Sequence, residues 1–462
     1  MKIRPKIPPE LDPGFEPAAL WNRAYQEKVH RAGSSVAIAI ALTRPDGSTR
    51  TFHTKILPES APDSTLNERY LERILKFLLW QCGAFQIRIA GCDPITRRLK
   101  SMYSEDGERA FDYCFFSDQA YLQPLEIIAC RHDEIPDETE QIIPLGRNLD
   151  GCRIGFDLGG SDRKCAALID GKVVFSEEVV WTPYFEKDPQ YHISGIQDSL
   201  KRAAAHLPRV DAIGGSSAGV YVRNEIRVAS LFRGISSSDF DTRVRRIFFD
   251  ISQHWRGIPF EVVNDGEVAA LAGSMSLGRN SLLGVAMGTS EAVGYVTAQG
   301  NITSMLNELA FAPIDYRADA PRDEWSGDTG CGVQYLSQQA VARLAPAAGF
   351  DFPEKTPFSV RLVEVQNALS LGDKRAAKIF STLGTYLGYA IAHYADFYEL
   401  RAALLLGRVM SGEGGNIIIG NARSVLATEF PELARQMEIF TPDEREKRHG
   451  QAAAAASLPS LH

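Results

Sequence analysis

The chain has 462 residues, of which 44% are hydrophobic and 23% are charged, and its formal net charge is −8. A single core rarely extends beyond about 250–300 residues, so this length predicts two or three domains. The acidic balance argues against a nucleic-acid partner, because binding to phosphates needs an excess of clustered Lys and Arg. No run of about 18 uninterrupted apolar residues occurs, so no membrane span is expected.

Seven cysteines are scattered along the chain without a C-x-x-C spacing, which favours a reducing compartment over a disulfide framework. The first residues, Met1-Lys2-Ile3-Arg4-Pro5, do not lead into the apolar segment of a signal peptide. We therefore expect a cytoplasmic protein without a membrane partner.

The first 150 residues are predicted to form an additional N-terminal α/β segment. A Pro-rich arm precedes a hairpin over 35–57, in which Pro45-Asp46-Gly47 supplies the turn, and a helix is expected over 66–82. The hairpin echoes one that starts at residue 153, but it lacks the glycines of the later turn. No chemistry is recognisable here, so we expect residues 1–150 to be a degenerate α/β unit that serves structure or assembly.

Strands and helices alternate after residue 151, which is typical of a mostly parallel sheet. Two domains are expected, the first over 151–275 and the second over 276–440. The remaining segment, 441–462, contains a predicted helix over about 443–457 that is charged first and Ala-rich after. We expect this helix to pack back on the first domain.

The first candidate site is the turn Asp157-Leu158-Gly159-Gly160-Ser161. Adjacent glycines let a phosphate approach backbone N–H groups without a Cβ in the way. A carboxylate just before them, Asp157, can hold Mg²⁺ through its waters. The alternative is an ordinary hairpin turn whose glycines adopt a positive φ.

A second turn, Gly288-Thr289-Ser290, stands at the same place in the second domain's first hairpin. Thr289 can offer its hydroxyl and its N–H to a phosphate oxygen. We expect the two turns to face each other across a cleft and to clamp a triphosphate. The pair is a stronger indication of nucleotide binding than either turn alone.

Asn264-Asp265 closes an apolar strand and opens a helix. An Asp in this position can simply cap the helix. It can also stand at the carboxyl edge of a parallel sheet, where α/β sites lie, and take the proton of an attacking hydroxyl.

Farther along the chain, Gly407 follows a strand and Gly412 lies close by. Glycines here would let the backbone approach a purine. The alternative is a glycine-rich loop that binds no ligand.

Taken in order, these motifs make about two thirds of the chain, from residue 152 to 458, resemble the ROK family of sugar kinases. The resemblance implies an α/β fold with duplicated ribonuclease H-like domains, as in the actin/hexokinase/Hsp70 ATPases. It also implies that Asp265 is the catalytic base. The segments that resemble family motifs are Asp157–Ser161, Gly214–Gly219, Val263–Leu271, Met287–Glu291 and Leu404–Ser411.

The departures from the family pattern are informative. Phe311 stands where the family has a zinc-binding His, and of the zinc-knuckle cysteines only Cys331 remains, so we expect no zinc. Gln334 replaces a glutamate. In the second phosphate turn Glu291 and Ala292 take the place of glycines, and a carboxylate beside a phosphate is unfavourable unless a cation offsets it. Ser230-Leu231-Phe232-Arg233 replaces a segment that contacts sugar in the family.

The resemblance predicts an enzyme that transfers phosphate from ATP to a hydroxyl of a sugar-like substrate. Mg-ATP would be held at the two turns and near Gly407 and Gly412, and the acceptor by Asn264, Glu308 and Gln334. The alternative is a non-catalytic ROK-like protein that binds a sugar or nucleotide in a regulatory role. The family also includes repressors with an N-terminal winged helix, but the leading segment lacks a clear helix-turn-helix pair, so no nucleic acid is expected. A homodimer is left open.

Overall fold

The computed structural model describes residues 1, 3–139, 145–442 and 450–461. Its mixed helices and strands confirm the predicted α/β class. The chain divides into two compact units: unit 1 comprises residues 1–141, 286–292 and 305–439, and unit 2 comprises residues 142–285, 293–304 and 440–462. Within the described ranges, no helix is both long enough and apolar enough to cross a membrane.

The N-terminal region of unit 1 contains the predicted hairpin and helix. Its elements are α1 Ala18–Arg31, β1 Val36–Thr43, β2 Thr49–Ile56, α2 Leu66–Cys82, β3 Gln86–Ala90, α3 Asp93–Met102, α4 Ala110–Cys114 and β4 Glu126–Cys130. The strands form a sheet of order β2-β1-β3-β4. Gly47 takes a φ of +85° in the hairpin turn, a conformation that favours glycine.

The Pro-rich arm at the N-terminus packs on unit 1. Phe15 is 1% exposed, and its ring centroid lies 4.8 Å from that of Tyr386. The Asp12 carboxylate pairs with Arg317 and Arg343 and accepts a hydrogen bond of 2.6 Å from the Tyr386 hydroxyl. The arm is therefore an integral part of unit 1.

Unit 2 is built on a five-stranded sheet of order β11-β8-β5-β6-β7. Its elements are β5 Cys152–Leu158, β6 Asp162–Ile169, β7 Lys172–Val180, α5 Pro189–Ala204, β8 Ala212–Ser217, β9 Val220–Val222, β10 Glu225–Val228, α6 Ser237–Asp239, α7 Ile247–His254, β11 Phe260–Asn264 and α8 Asp265–Leu277. Strands β5, β8 and β11 are parallel, whereas β5, β6 and β7 are antiparallel. The carboxyl ends of the three parallel strands therefore lie side by side, which is where α/β proteins place their sites.

This topology differs from that of the N-terminal sheet. Strand β5 pairs in parallel with β8, whereas β1 pairs antiparallel with β3. The hairpin over 35–57 therefore resembles the one at residue 153 only locally. The strand that next pairs with the first strand of each hairpin runs antiparallel in the N-terminal sheet and parallel in the unit 2 sheet.

The Ala-rich segment near the C-terminus forms α14 Gly450–Ala456, which packs on the unit 2 sheet. A Cβ on Gly155 would overlap the carbonyl oxygen of Ala452, and one on Gly214 would overlap that of Ala455. Glycine in the strands and alanine in the helix thus allow direct backbone contact. The first part of the helix predicted over 443–457 lies outside the described residues.

The remaining elements include a sheet of order β13-β12-β14-β15 and the helices that follow its first hairpin. Their bounds are β12 Leu282–Met287, β13 Glu291–Val296, α9 Gln338–Leu344, α10 Phe358–Ser370, α11 Lys374–Tyr394, β14 Ala402–Leu406, α12 Glu413–Glu429, α13 Pro431–Ala434 and β15 Glu438–Phe440. A Cβ on Gly384 of α11 would overlap the backbone of Ile418, so α11 and α12 pack closely.

A buried ion network joins the N-terminal region to the loop around Asp328 within unit 1. Lys76 on α2 is 0% exposed, and its Nζ lies 2.7 Å from Asp112 and 3.2 Å from Asp328. Arg109 contacts the same Asp328 carboxylate at 2.6 Å. Burial alone would raise the pKa of Asp328, but Lys76, Arg73 and Arg109 lower it below its usual range. The network therefore holds this loop against α2 through compensated charges.

We predict that Lys76→Met destabilises the protein by about 3–5 kcal/mol, because removing one member of a buried ion network leaves the opposite charges without compensation. Urea unfolding followed by tryptophan fluorescence measures this change. The control is Lys28→Met, since Lys28 forms an exposed pair with Asp63 and its loss should barely move the midpoint. Equal midpoints for the wild type and Lys76→Met would show that the buried network contributes nothing.

Candidate functional site

The first turn of unit 2 offers unused backbone donors. The Gly159 N–H donates to the Asp162 carbonyl at 2.9 Å, whereas the N–H groups of Gly160 and Ser161 have no acceptor within the described chain. Neither Gly159 nor Gly160 has a positive φ, so the reading of this segment as a turn that needs glycine for its φ is wrong. Two adjacent free N–H groups and the exposed Ser161 hydroxyl are a suitable arrangement for a phosphate.

An aromatic side chain covers part of this turn. A Cβ on Gly160 would overlap the hydroxyl and ring of Tyr184, so a larger residue here would displace the ring. The Arg233 guanidinium stacks on the Tyr184 ring at 4.1 Å from its centroid. The segment that replaces a sugar-contacting motif of the family therefore reaches the first turn through a cation–π pair, which the sequence did not indicate.

Asp157 lies at the end of β5 and is 6% exposed. The Ser216 hydroxyl on the adjacent strand donates to its carboxylate at 2.7 Å, and the Lys164 Nζ lies 3.9 Å away. Burial raises the pKa of Asp157, although the Ser216 hydrogen bond and Lys164 oppose this. Lys164 is a site residue that the sequence analysis missed. Pairing the two strands of the hairpin places Lys164 directly opposite Asp157, and this register would have predicted Lys164 as a site residue.

Asp265 is the first residue of α8, directly after β11. Burial, together with the nearby Asp157 charge, raises its pKa to about 6. The Gly266 N–H does donate to Asp265 at 2.9 Å, but this hydrogen bond does not offset the loss of solvent.

Asn264, not Asp265, caps the helix. Its side-chain oxygen accepts from the Gly266 N–H at 2.7 Å, and its amide nitrogen donates to the Gly219 carbonyl at 2.9 Å. The Asn264 side chain is thus engaged on both sides by the protein. It ties the loop after β8 to the start of α8 and leaves Asp265 without the role of cap.

The second turn lies in unit 1. The Gly288 N–H donates to the Ser290 carbonyl at 3.0 Å, while Thr289 is exposed and its N–H has no acceptor in the described part of the chain. Glu291 is 2% exposed and accepts from the Tyr394 hydroxyl at 3.1 Å. Burial raises the pKa of Glu291 to about 8, so this carboxyl is mainly neutral at pH 7. The predicted conflict between a Glu291 charge and a phosphate therefore does not arise.

The other residues predicted to bind the acceptor are also in unit 1. Glu308 is half-buried, and its charge adds to the raised pKa of Glu291. Gln334 is 7% exposed, and its side-chain amide donates to Gln339 at 2.7 Å. The Gln334 side chain is therefore held internally.

The segment that resembles the zinc knuckle is buried. Cys331 is 0% exposed and burial raises its pKa to about 12. The Phe311 ring lies 4.5 Å from that of Trp80 and 5.6 Å from that of Phe111. Among the described residues, no group of three or more His, Cys, Asp or Glu side chains could hold a metal ion. The absence of zinc stays a prediction.

Backbone conformation and close packing explain most glycines in and just after the predicted adenosine segment. Gly407 has a φ of +92°, and a Cβ there would overlap the backbone of Met287. Gly415 lies against the Met410 carbonyl in the same way. Gly412 differs, since it is exposed with a φ of +68° and has open space around it. Only Gly412 therefore presents a free backbone surface in the predicted adenosine segment.

The raised pKa of Asp265 predicts a stability effect of defined sign. A carboxyl whose pKa rises from about 4 to about 6 on folding stabilises the fold below pH 4, and this contribution is lost as the pH rises through 6. Asp265→Asn does not titrate, so the variant should gain stability relative to wild type between pH 4 and pH 7. Urea unfolding across this range measures the difference. A difference between wild type and Asp265→Asn that does not change with pH would contradict the raised pKa.

Comparison with known proteins bears on the fold. No protein-family model matches the chain, and no curated protein is significantly similar to it in sequence. A ROK hexokinase from Thermus thermophilus matches with a TM-score of 0.52, at 18% identity, over 66% of this chain and 97% of its own. A ROK family transcriptional regulator, a homologue of the E. coli MLC protein, matches with a TM-score of 0.51, at 19% identity, over 67% and 78%. About two thirds of this chain therefore share the fold of ROK family proteins, as the motifs predicted.

Proposed function

We propose that this protein transfers the γ-phosphoryl group of ATP to a hydroxyl of a sugar or sugar-like acceptor. The observation that supports this most is the carboxyl edge of the unit 2 sheet. There Asp157 and Asp265 lie close enough for the charge of one to raise the pKa of the other, beside the free N–H groups of Gly160 and Ser161. A base next to a phosphate-sized set of donors is what phosphoryl transfer needs.

Asp265 would act as the general base. A pKa of about 6 keeps it mostly ionised at pH 7 and makes it more basic than an ordinary Asp. Because Asn264 provides the helix cap, the Asp265 carboxylate is left for the acceptor hydroxyl. In this role it would orient the hydroxyl and accept its proton as the bond to the phosphoryl group forms.

The phosphates would be bound by the first turn and by Lys164. The N–H groups of Gly160 and Ser161 supply fixed dipoles, and the Lys164 ammonium, 3.2 Å from Asp162, supplies a positive charge. Thr289, with its exposed hydroxyl and free N–H, would donate to a second phosphate oxygen. Gly412 would lie near the adenosine.

The donor set fits Mg²⁺, which sites of this kind bind through one or two carboxylates together with the substrate phosphates. Asp157 is the residue that would hold it, and Asp265 is its close carboxyl neighbour. Bound there, the ion would neutralise charge on the phosphates. The Ser216 hydroxyl keeps the Asp157 carboxylate oriented.

One structural neighbour is a hexokinase, which supports a sugar as the acceptor. Glu308 is the residue that would bind this acceptor. A second candidate function is non-catalytic binding of a sugar or nucleotide. The ring of Tyr184 over Gly160 favours it, as does a neighbour that is a transcriptional regulator. A kinase assay over a panel of hexoses separates the two functions.

We predict that Asp265→Asn lowers the rate of phosphoryl transfer about 10²–10⁴-fold, as expected for loss of a general base. ATP affinity should persist, because the phosphates are held by other groups. In the wild type, kcat/KM should fall as the pH drops below about 6, where Asp265 becomes protonated. A coupled assay for ADP and calorimetry with ATP measure both properties. Equal turnover by wild type and Asp265→Asn would remove Asp265 from the chemistry.

Two substitutions at the first turn should change ATP affinity in opposite directions. Lys164→Met removes a charge-assisted contact and should weaken binding about 10–100-fold. Tyr184→Ala uncovers Gly160 and should strengthen it. Calorimetry with Mg-ATP measures both, with the exposed Lys172→Met as the matched control for loss of a lysine. Unchanged affinity in both variants would show that the first turn does not bind the nucleotide.

A further inference from the structure

The turn that carries Glu308 is bonded to the end of α2 in the N-terminal region. The Asn307 N–H donates to the Gln81 carbonyl at 2.9 Å, and the Glu308 N–H donates to the Trp80 carbonyl at 3.0 Å. Carbonyl groups in the last turn of a helix have no N–H partner within the helix, so they accept hydrogen bonds from donors outside it. Residues 307–308 supply these donors, and in return their backbone position is set by α2.

The conformation of this turn is an unusual one that must be held in place. Asn307 has a φ of +52° and is 2% exposed. Its side-chain oxygen accepts a hydrogen bond of 2.6 Å from the Tyr398 hydroxyl. A non-glycine residue persists in the left-handed region only where its surroundings fix it. Here the end of α2 fixes its backbone and Tyr398 fixes its side chain.

The end of α2 is itself fixed by buried contacts. The Gln81 side chain, 1% exposed, donates to the Phe397 carbonyl at 3.1 Å. The Trp80 indole N–H donates to Asp112 at 3.0 Å, and the Trp80 ring packs at 4.5 Å from that of Phe311, three residues after Glu308. One turn earlier in α2, Lys76 pairs with Asp112 and Asp328. The helix end thus has no freedom to shift without breaking buried polar contacts.

We propose that α2 is a positioning element for acceptor binding: its terminal carbonyls hold the 307–308 turn so that the Glu308 carboxylate meets the acceptor. The proposal rests on the proposed function for the role of Glu308, and it gives the N-terminal region a part in recognition of the acceptor. Trp80, Gln81 and Tyr398 are positioning residues in this sense. Lys164 and the first phosphate turn, which would hold the phosphates, take no part in these contacts, so disturbing the 307–308 turn should leave ATP affinity unchanged.

Tyr398→Phe tests this, because it removes one hydroxyl from the turn and preserves the ring. The matched control is Tyr389→Phe, which removes a buried hydroxyl of unit 1 that donates to Glu429 at 2.9 Å. In the full-length protein we expect Tyr398→Phe to raise the KM for the best hexose of a panel about tenfold. The KM for ATP should stay the same, and Tyr389→Phe should change neither. An unchanged hexose KM in Tyr398→Phe would overturn the role in acceptor binding.

Hydrogen exchange gives a second readout that needs no substrate. The N–H groups of Asn307 and Glu308 should exchange about tenfold faster in Tyr398→Phe than in wild type or Tyr389→Phe, because the turn opens more often. If the wild type phosphorylates no hexose, the role in acceptor binding fails together with the proposed function. Hydrogen exchange then tests only whether the Tyr398 hydroxyl holds the 307–308 turn. Unchanged protection of the Asn307 and Glu308 N–H groups in Tyr398→Phe would show that it does not.

Discussion

The close approach of Asp157 and Asp265 is the constraint on which the candidate site depends. Parallel pairing of β5, β8 and β11 brings the ends of these strands together, and the two carboxyls are placed by that pairing. Burial raises the pKa of both carboxyls, and the Asp157 charge adds to the raised pKa of Asp265. The hydroxyl of Ser216 and the ammonium of Lys164 offset part of this cost at Asp157. The result is one carboxyl stabilised by local donors and one left basic, which is the division of roles that a metal-assisted transfer requires.

The elements and the turn positions could be predicted because they depend on local sequence. The hairpin around Asp46-Gly47, the helix over 66–82 and the strand-to-turn junction at Asp157 follow from periodicity and turn residues. The charge state of Asp265 could not be predicted, because it depends on burial and on a carboxyl 108 residues away. The ring of Tyr184 over Gly160 was missed for the same reason, since a glycine in sequence does not show which side chain fills the space beside it.

The N-terminal region offers a physical reason why the loop around Cys331 can keep its shape with a single thiol. In the family that the motifs resemble, a zinc knuckle would occupy this segment. Here Lys76 and Arg109, both from the N-terminal region, converge on Asp328 just before Cys331, and Phe311 packs on Trp80. A bound metal restrains a loop through several bonds that must break together. The buried ion pairs and the stacked rings restrain this loop in the same way. A rigid loop therefore does not by itself require an ion.

The covered first turn is consistent with binding of a phosphate when the forces are compared. Tyr184 is half-buried against the hydrophobic core of unit 2, and the exposed Arg233 stacks on its ring in a cation–π pair that contributes about 0.5–1 kcal/mol. A phosphate would gain charge-assisted hydrogen bonds from Lys164 and from two free N–H groups, and each bond to a charged group contributes about 1.5–3 kcal/mol. A phosphate at this turn would therefore compete with the packing of one half-buried ring. The balance between that packing and the charge-assisted bonds decides whether the cover on Gly160 favours the non-catalytic function or yields to a nucleotide.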